Sequence, residues 1–237
     1  MISAKHDFVF VHPPKTGGNT MHKIFQPYYD SGIILQFIDN GFGPGHGVST
    51  YVKNPDSNAP RNSYESNPTV KSPERFPVNK HSTYQQFLTN PHFTDLKKLK
   101  LISAIRNPWD RAASYYRWSR SVNPFAAWYK RDKFKLRERS CVSYWSGHNP
   151  DFVLRHECFE NDVTQLLYYL SIPMPDSLAE MTINVTKAIE EKDPLSYRQF
   201  YIKDDGSYDE ELIEKIRLDA QADIEFSEKI FIKPYDF

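Results

Sequence analysis

Cysteine is nearly absent from this chain. Its two, Cys141 and Cys158 in 237 residues, are too few for a disulfide framework or a cysteine-rich zinc site. Long apolar runs are missing as well. No stretch reaches the roughly 18 apolar residues of a membrane-spanning helix. The apolar segment near the N-terminus, Phe8 to Val11, is too short for the core of a signal peptide. These absences lead us to expect a cytoplasmic protein with no transmembrane segment. Net charge is also lacking, since 30 Lys and Arg face 30 Asp and Glu. A partner held by bulk positive charge, such as nucleic acid, is therefore not expected.

The zero conceals a division. Residues 1–140 carry 21 Lys and Arg against 10 Asp and Glu, a net of +11, so residues 141–237 carry the remaining 9 against 20, a net of −11. A chain divided this way can attract a polyanion to one half while staying neutral. The sequence is polar, but its 16 Phe, 15 Tyr and 4 Trp are far more than disordered chains contain. They can furnish a core at this length.

The order of elements comes from periodicity. Asp7 to His12 is a short apolar run stopped by Pro13-Pro14, as in a buried strand. Met21, Ile24 and Phe25 fall at i, i+3 and i+4, which predicts a helix after the glycine turn. Further helices are expected over Thr83 to Leu88, Asp110 to Ser119, Asp162 to Leu170 and Asp209 to Phe226. Further strands are expected at Lys100 to Ile105 and Phe152 to Arg155. The basic stretch Arg131 to Arg139 reads as a solvated helix face. Residues 38–79 are rich in Gly, Asn, Ser and Pro and read as a loop-rich insertion or a lid within a single domain spanning 1–237. Strands alternating with helices predict an α/β fold with parallel strands.

Two segments carry chemistry. Lys15-Thr16-Gly17-Gly18-Asn19-Thr20 lies between a strand and a helix. A glycine turn there presents backbone N–H groups and the positive end of a helix to an anion. It is not the nucleotide-triphosphatase G-x-x-x-x-G-K-[ST], because its lysine precedes the glycines. Read alone it is also an ordinary tight turn. In the second segment, Arg106 stands at the carboxyl end of the Lys100–Ile105 strand, where α/β folds bind ligands, and its fork suits a phosphate. Ser114 follows one to two turns into the next helix. Read alone these are a surface arginine and a helical serine.

Together the two segments resemble the sulfotransferases that use 3′-phosphoadenosine 5′-phosphosulfate (PAPS), in particular the carbohydrate O-sulfotransferases and small bacterial members. Phe10 to Thr20 is similar to that family's opening motif. Arg106-Asn107-Pro108-Trp109-Asp110-Arg111-Ala112-Ala113-Ser114-Tyr115-Tyr116 is similar to its second motif, and Lys80-His81-Ser82-Thr83 to an element between them. Softer matches are Phe152 to Glu157 with Asp162, where His156 replaces an aromatic, and Asp223 to Phe226.

The resemblance implies a three-layer, P-loop-like α/β fold whose central, mostly parallel sheet is flanked by helices. Backbone N–H groups of Lys15, Thr16, Gly17, Gly18, Asn19 and Thr20 would hold the 5′-phosphosulfate, with Thr20 on the 5′-phosphate. Asn19 stands where relatives have Thr or Ser. Arg106 and Ser114 would bind the 3′-phosphate. His81 matches the position taken as general base in part of the family, a structural or acceptor-binding role being the alternative, and Glu157 is a cofactor-site or structural residue. Lys15 can donate to the oxygen bridging sulfur and phosphorus. His12, His22 and His46 read as turn or surface histidines. The implied reaction moves a sulfuryl group from PAPS to a hydroxyl of a glycan or small metabolite, leaves adenosine 3′,5′-bisphosphate and calls for no metal. A P-loop-type kinase or phosphotransferase and an inactive nucleotide-binding module are the competing readings.

Overall fold

The computed structural model of the protein describes residues 2–3, 6–25, 34–39, 49–52, 81–89, 96–119, 121–131, 136, 139–175, 197–231, 235 and 237. Their strands are β1 (Ile2–Ser3), β2 (Phe8–Val11), β3 (Ile34–Asp39), β4 (Ser49–Val52), β5 (Lys100–Ile105) and β6 (Phe152–Arg155). The helices are α1 (Gly18–Phe25), α2 (Tyr84–Leu88), α3 (Pro108–Ser119), α4 (Phe125–Arg131), α5 (Phe159–Tyr169), α6 (Glu210–Asp219) and α7 (Gln221–Ile230).

The strands form one sheet in the order β4-β3-β1-β2-β5-β6. Its centre is the parallel trio β2, β5 and β6, with Phe10 opposite Ile102 and Ile102 opposite Phe152. β1 pairs antiparallel with β2 and β3, and β3 with β4. The short run Ile2–Ser3 and the β3–β4 pair were not expected. β3 reaches into the stretch read as loop-rich and β4 lies within it. Residues 40–48 and 53–79 of that stretch lie outside the described residues.

Alternation along β2 explains the layering. All four residues are buried, and successive side chains point to opposite faces. Phe8 and Phe10 join Met21, Ile24 and Phe25 of α1 and Val163, Leu166 and Leu167 of α5. Val9 and Val11 join Tyr84 and Phe87 of α2 with Tyr144 and Trp145 on the other face. Helices thus cover the parallel strands on both sides, which is the three-layer α/β architecture expected. Burying a Phe or Leu side chain contributes roughly 1.5–3 kcal/mol, so both faces are strongly driven together. A third cluster packs Trp109, Ala112 and Ala113 of α3 against Phe125 and Trp128 of α4 and Leu212 and Ile216 of α6.

Several expected boundaries moved. α3 starts at Pro108 because the Asn107 side-chain oxygen accepts from the N–H groups of Trp109 (3.1 Å) and Asp110 (3.4 Å). Proline suits the first helical position after such a cap. α5 begins at Phe159, three residues early. The helix expected over Asp209 to Phe226 is two helices, separated at Ala220. The basic stretch after Arg131 is described only at Leu136, which is buried, and Arg139, which is half-buried. Among the described residues, no helix is long and apolar enough to cross a membrane.

Candidate functional site

The three parallel strands end side by side. Beyond their carboxyl ends lie His12 to Gly17 after β2, Arg106 and Asn107 after β5, and His156 and Glu157 after β6. This is the edge at which α/β sheets bind ligands.

Residues 12–18 form a tight cradle. Lys15 and Gly17 take left-handed conformations (φ 69° and 90°), which only glycine adopts freely. Thr16 is buried and its hydroxyl donates to the Pro13 carbonyl at 2.8 Å, so its proton closes the loop from within. The N–H groups of Thr20 (3.0 Å) and Met21 (3.2 Å) both donate to the Gly17 carbonyl. The Thr20 backbone is therefore committed to the first helical turn, and its side chain is buried. Gly18 has no room for a side chain, since a Cβ there would meet the His12 ring at 2.1 Å. The backbone of Asn19 belongs to the first turn of α1.

Two arginines hold the cradle from outside. Arg106 Nη1 donates to the Lys15 carbonyl at 3.2 Å, tying together the two motifs that were 91 positions apart. Arg111 Nε donates to the Pro14 carbonyl at 3.0 Å. Both bonds fix the loop through its carbonyl groups.

Arg106 is only 5 % exposed, and its Nε has no hydrogen-bond partner among the described residues. A buried donor left unsatisfied is costly, which suits a site built for an anion. Ser114 is also buried, and the Arg106 guanidinium lies over the Tyr197 ring, 5.0 Å from its centroid. An anion would satisfy the orphaned Nε, and a glycine turn at the start of a helix is a second feature of this edge suited to one.

His81 is brought to the same place. Its Nδ1 lies 3.3 Å from the His12 carbonyl oxygen, and the two rings meet edge-on with centroids 4.7 Å apart. A carbonyl only accepts, so in this contact Nδ1 is the donor. His12 is a correction to the sequence reading. It is buried, stacked on Phe10 and pressed over Gly18, so it is a structural member of the site and not a surface histidine. The His22 side chain and His46 lie outside the described residues.

Lys15 is half-buried, with Nζ 6.0 Å from the ring centroid of Trp118, itself 58 % exposed. Glu157 accepts from the Asn107 N–H at 2.7 Å and from the Tyr235 hydroxyl at 3.1 Å. It thus fastens the turn after Arg106 to the C-terminal segment. Desolvation raises its pKa, and the Asn107 hydrogen bond opposes the rise.

Sequence reasoning missed His156 and Tyr197. A Cβ on Gly17 would lie 3.5 Å from the His156 ring. Desolvation, then the charges of Arg106 and Lys15, hold this imidazole well below the usual histidine range, so it is neutral. Its only sequence signal was the replacement of an aromatic. Tyr197 lies far along the chain, with no motif around it.

A model of the sulfotransferase domain family matches residues 5–167, well over half of the chain. The chain belongs to the sulfotransferase family. The match spans both motifs, His81 and the His156–Glu157 turn. No curated protein matches the chain. Among solved structures, the sulfotransferase chain is similar to mouse sulfotransferase SULT7A1 complexed with PAP. The two are 19% identical with a TM-score of 0.49, over 96% of this chain and 90% of that one. PAPS is the sulfuryl donor that goes with this family, and adenosine 3′,5′-bisphosphate its product. Among the described residues of this sulfotransferase, no group of three or more His, Cys, Asp or Glu is placed to hold a metal ion.

Proposed function

We propose that this sulfotransferase moves a sulfuryl group from PAPS to an acceptor hydroxyl, with a carbohydrate as the acceptor class and His81 as general base. The observation that carries this reading is the convergence of the Lys15–Thr20 cradle, Arg106 and His81. The 3.2 Å bond from Arg106 to the Lys15 carbonyl and the 3.3 Å contact of His81 with the carbonyl of His12, three residues before Lys15, support it.

PAPS supplies an activated sulfuryl group and a phosphate able to leave. Backbone N–H groups of the cradle hold that phosphate end, with the Thr20 hydroxyl beside them. Arg106 and Ser114 take the 3′-phosphate, which distinguishes this nucleotide from AMP and ATP. Lys15 neutralises the charge that grows on the leaving oxygen as the S–O bond breaks. His81 accepts the acceptor's hydroxyl proton at Nε2 as the new S–O bond forms, because its Nδ1–H is turned to the His12 carbonyl. Transfer of this type depends on in-line placement and charge neutralisation more than on covalent help. Trp118, exposed beside Lys15, offers the acceptor a flat apolar face at the reacting end. Both described cysteines are free thiols, which accords with the cytoplasmic location we also propose.

Thermal denaturation with nucleotides tests the donor. Adenosine 3′,5′-bisphosphate should raise the melting temperature far more than AMP or ATP with magnesium. A larger rise with ATP and magnesium would favour a kinase and end the sulfotransfer reading. Labelled PAPS offered with a panel of polysaccharides, phenols and lipids tests the acceptor, and labelling confined to phenols or lipids would remove the carbohydrate assignment.

A further inference from the structure

The family match ends at residue 167, yet a residue far beyond it is bonded to the edge that carries the cradle. After β5 the chain turns through Arg106 and Asn107 into α3. The Glu157 carboxylate, just after β6, holds that turn with one oxygen and the C-terminal segment with the other. Its Oε1 accepts from the Asn107 N–H at 2.7 Å, and its Oε2 accepts from the Tyr235 hydroxyl at 3.1 Å. Tyr235 is itself held from behind. Its N–H donates to the Ser227 hydroxyl at 3.1 Å, and Ser227, buried in α7, donates to the Ile224 carbonyl at 2.8 Å. The Tyr235 ring lies 6.1 Å from that of Phe231, which the Arg155 guanidinium covers at 5.3 Å. A continuous line of bonds thus runs from α7 to the residue next to Arg106.

We propose that Tyr235 is a positioning residue for the donor site, its hydroxyl acting through the Glu157 carboxylate to set the turn that carries Arg106. The proposal rests on the reading of Arg106 as a ligand of the nucleotide's 3′-phosphate. A glutamate carboxylate turns easily about its last torsion, so a single hydrogen bond from Asn107 would leave its plane loose. A second bond on the other oxygen fixes that plane, and with it the direction in which the Asn107 N–H is pulled. Phenylalanine would fill the same place beside Phe231, so packing alone does not call for the hydroxyl. Arg106 is tied to the cradle only by Nη1 on the Lys15 carbonyl, and its Nε is unpartnered among the described residues. Where that Nε points therefore depends on the backbone beside it. Binding groups held slightly out of place lose much of their effect, so support behind them matters.

The test is isothermal titration of the full chain with adenosine 3′,5′-bisphosphate and, separately, with AMP. Wild type, Tyr235→Phe, Glu157→Ala and the double variant are compared, each with its melting temperature. Wild type should bind the bisphosphate more tightly. Tyr235→Phe keeps the ring and removes the donor. It should weaken the bisphosphate roughly three- to tenfold, part of one hydrogen bond to a charged group, and leave AMP within about twofold. Glu157→Ala should weaken the bisphosphate at least as much, and adding Tyr235→Phe to it should change nothing further, because both act along one line. Equal losses for the two nucleotides, or losses that add in the double variant, would overturn the proposal. A lower melting temperature with bisphosphate affinity unchanged would mean a merely structural tyrosine and overturn it too. If Glu157→Ala does not fold, the selectivity of Tyr235→Phe decides alone. Wild type without preference for the bisphosphate removes the Arg106 reading and Tyr235 with it, whereas a preference that survives Tyr235→Phe in full removes Tyr235 only.

Discussion

Arg111 Nη1 and the Asp223 carboxylate meet at 3.4 Å with both side chains fully buried. The pair joins the positive half of the chain to the negative half at one point. Arg111 also donates to the carbonyls of Pro14 (3.0 Å) and Arg139 (2.6 Å). Asp223 accepts from the N–H groups of Cys141 (2.9 Å) and Val142 (3.0 Å). Buried charges are tolerable only when so fully bonded.

Replacing Asp223 with Asn removes the charge that compensates Arg111. Breaking a buried pair from one side costs about 3–5 kcal/mol. For a chain of this size that lowers the melting temperature by on the order of 10 °C. Thermal denaturation would show it, and a shift within a degree or two would mean that the pair is not an important support.

Gly18→Ala would place a methyl group 2.1 Å from the His12 ring. His12 must move, and its carbonyl is the anchor of His81. We expect sulfuryl transfer to fall by more than tenfold, a loss of about 1.4 kcal/mol of transition-state stabilisation. Assay of transfer alongside nucleotide titration checks this. Full activity would show that the His12–His81 contact is dispensable.

His81→Ala should leave adenosine 3′,5′-bisphosphate binding within about twofold of wild type while kcat drops roughly 10²- to 10⁴-fold, the range for a general base. Steady-state kinetics and titration together decide it. Retained turnover would remove His81 from the chemistry.

His156 gives the protein an acid-side weakness. Its folded pKa lies below the ordinary value, so the unfolded chain binds a proton that the folded chain refuses. Its contribution is present above the usual histidine range near 6.5 and is lost as pH falls toward the depressed folded value. The melting temperature of wild type should therefore drop more steeply below pH 6.5 than that of His156→Phe. Parallel pH profiles would count against this.

Legibility in the sequence followed the range of the forces involved. β2, β5 and β6 were legible because a buried parallel strand is a continuous apolar run, as Phe8 to Val11 and Leu101 to Ile105 are. The cradle was legible because its glycines answer to local backbone geometry. The break at Ala220 was not. No glycine or proline marks it, and it accompanies an aspartate, Asp223, turned toward an arginine 112 positions away. α4 was hidden because the apolar members of Phe125–Arg131 are aromatic and seven residues show little period. His12 read as a turn residue because nothing local reveals that His81 and Gly18 close around it. Tyr197 was invisible for the same reason, the guanidinium over its ring, Arg106, being a long way back along the chain.

The bonds that close the cradle run among residues 12–18, His81, Arg106 and Arg111, at strand ends and in the helix that follows β5. The chain between α1 and His81 contributes none of those described. In evolutionary terms the donor chemistry and that intervening stretch are separable. Among the described residues, the contact between Arg106 and Lys15 involves no residue of that stretch. A lineage built on this scaffold could vary that stretch while the bonds among the cradle, Arg106 and Arg111 are kept.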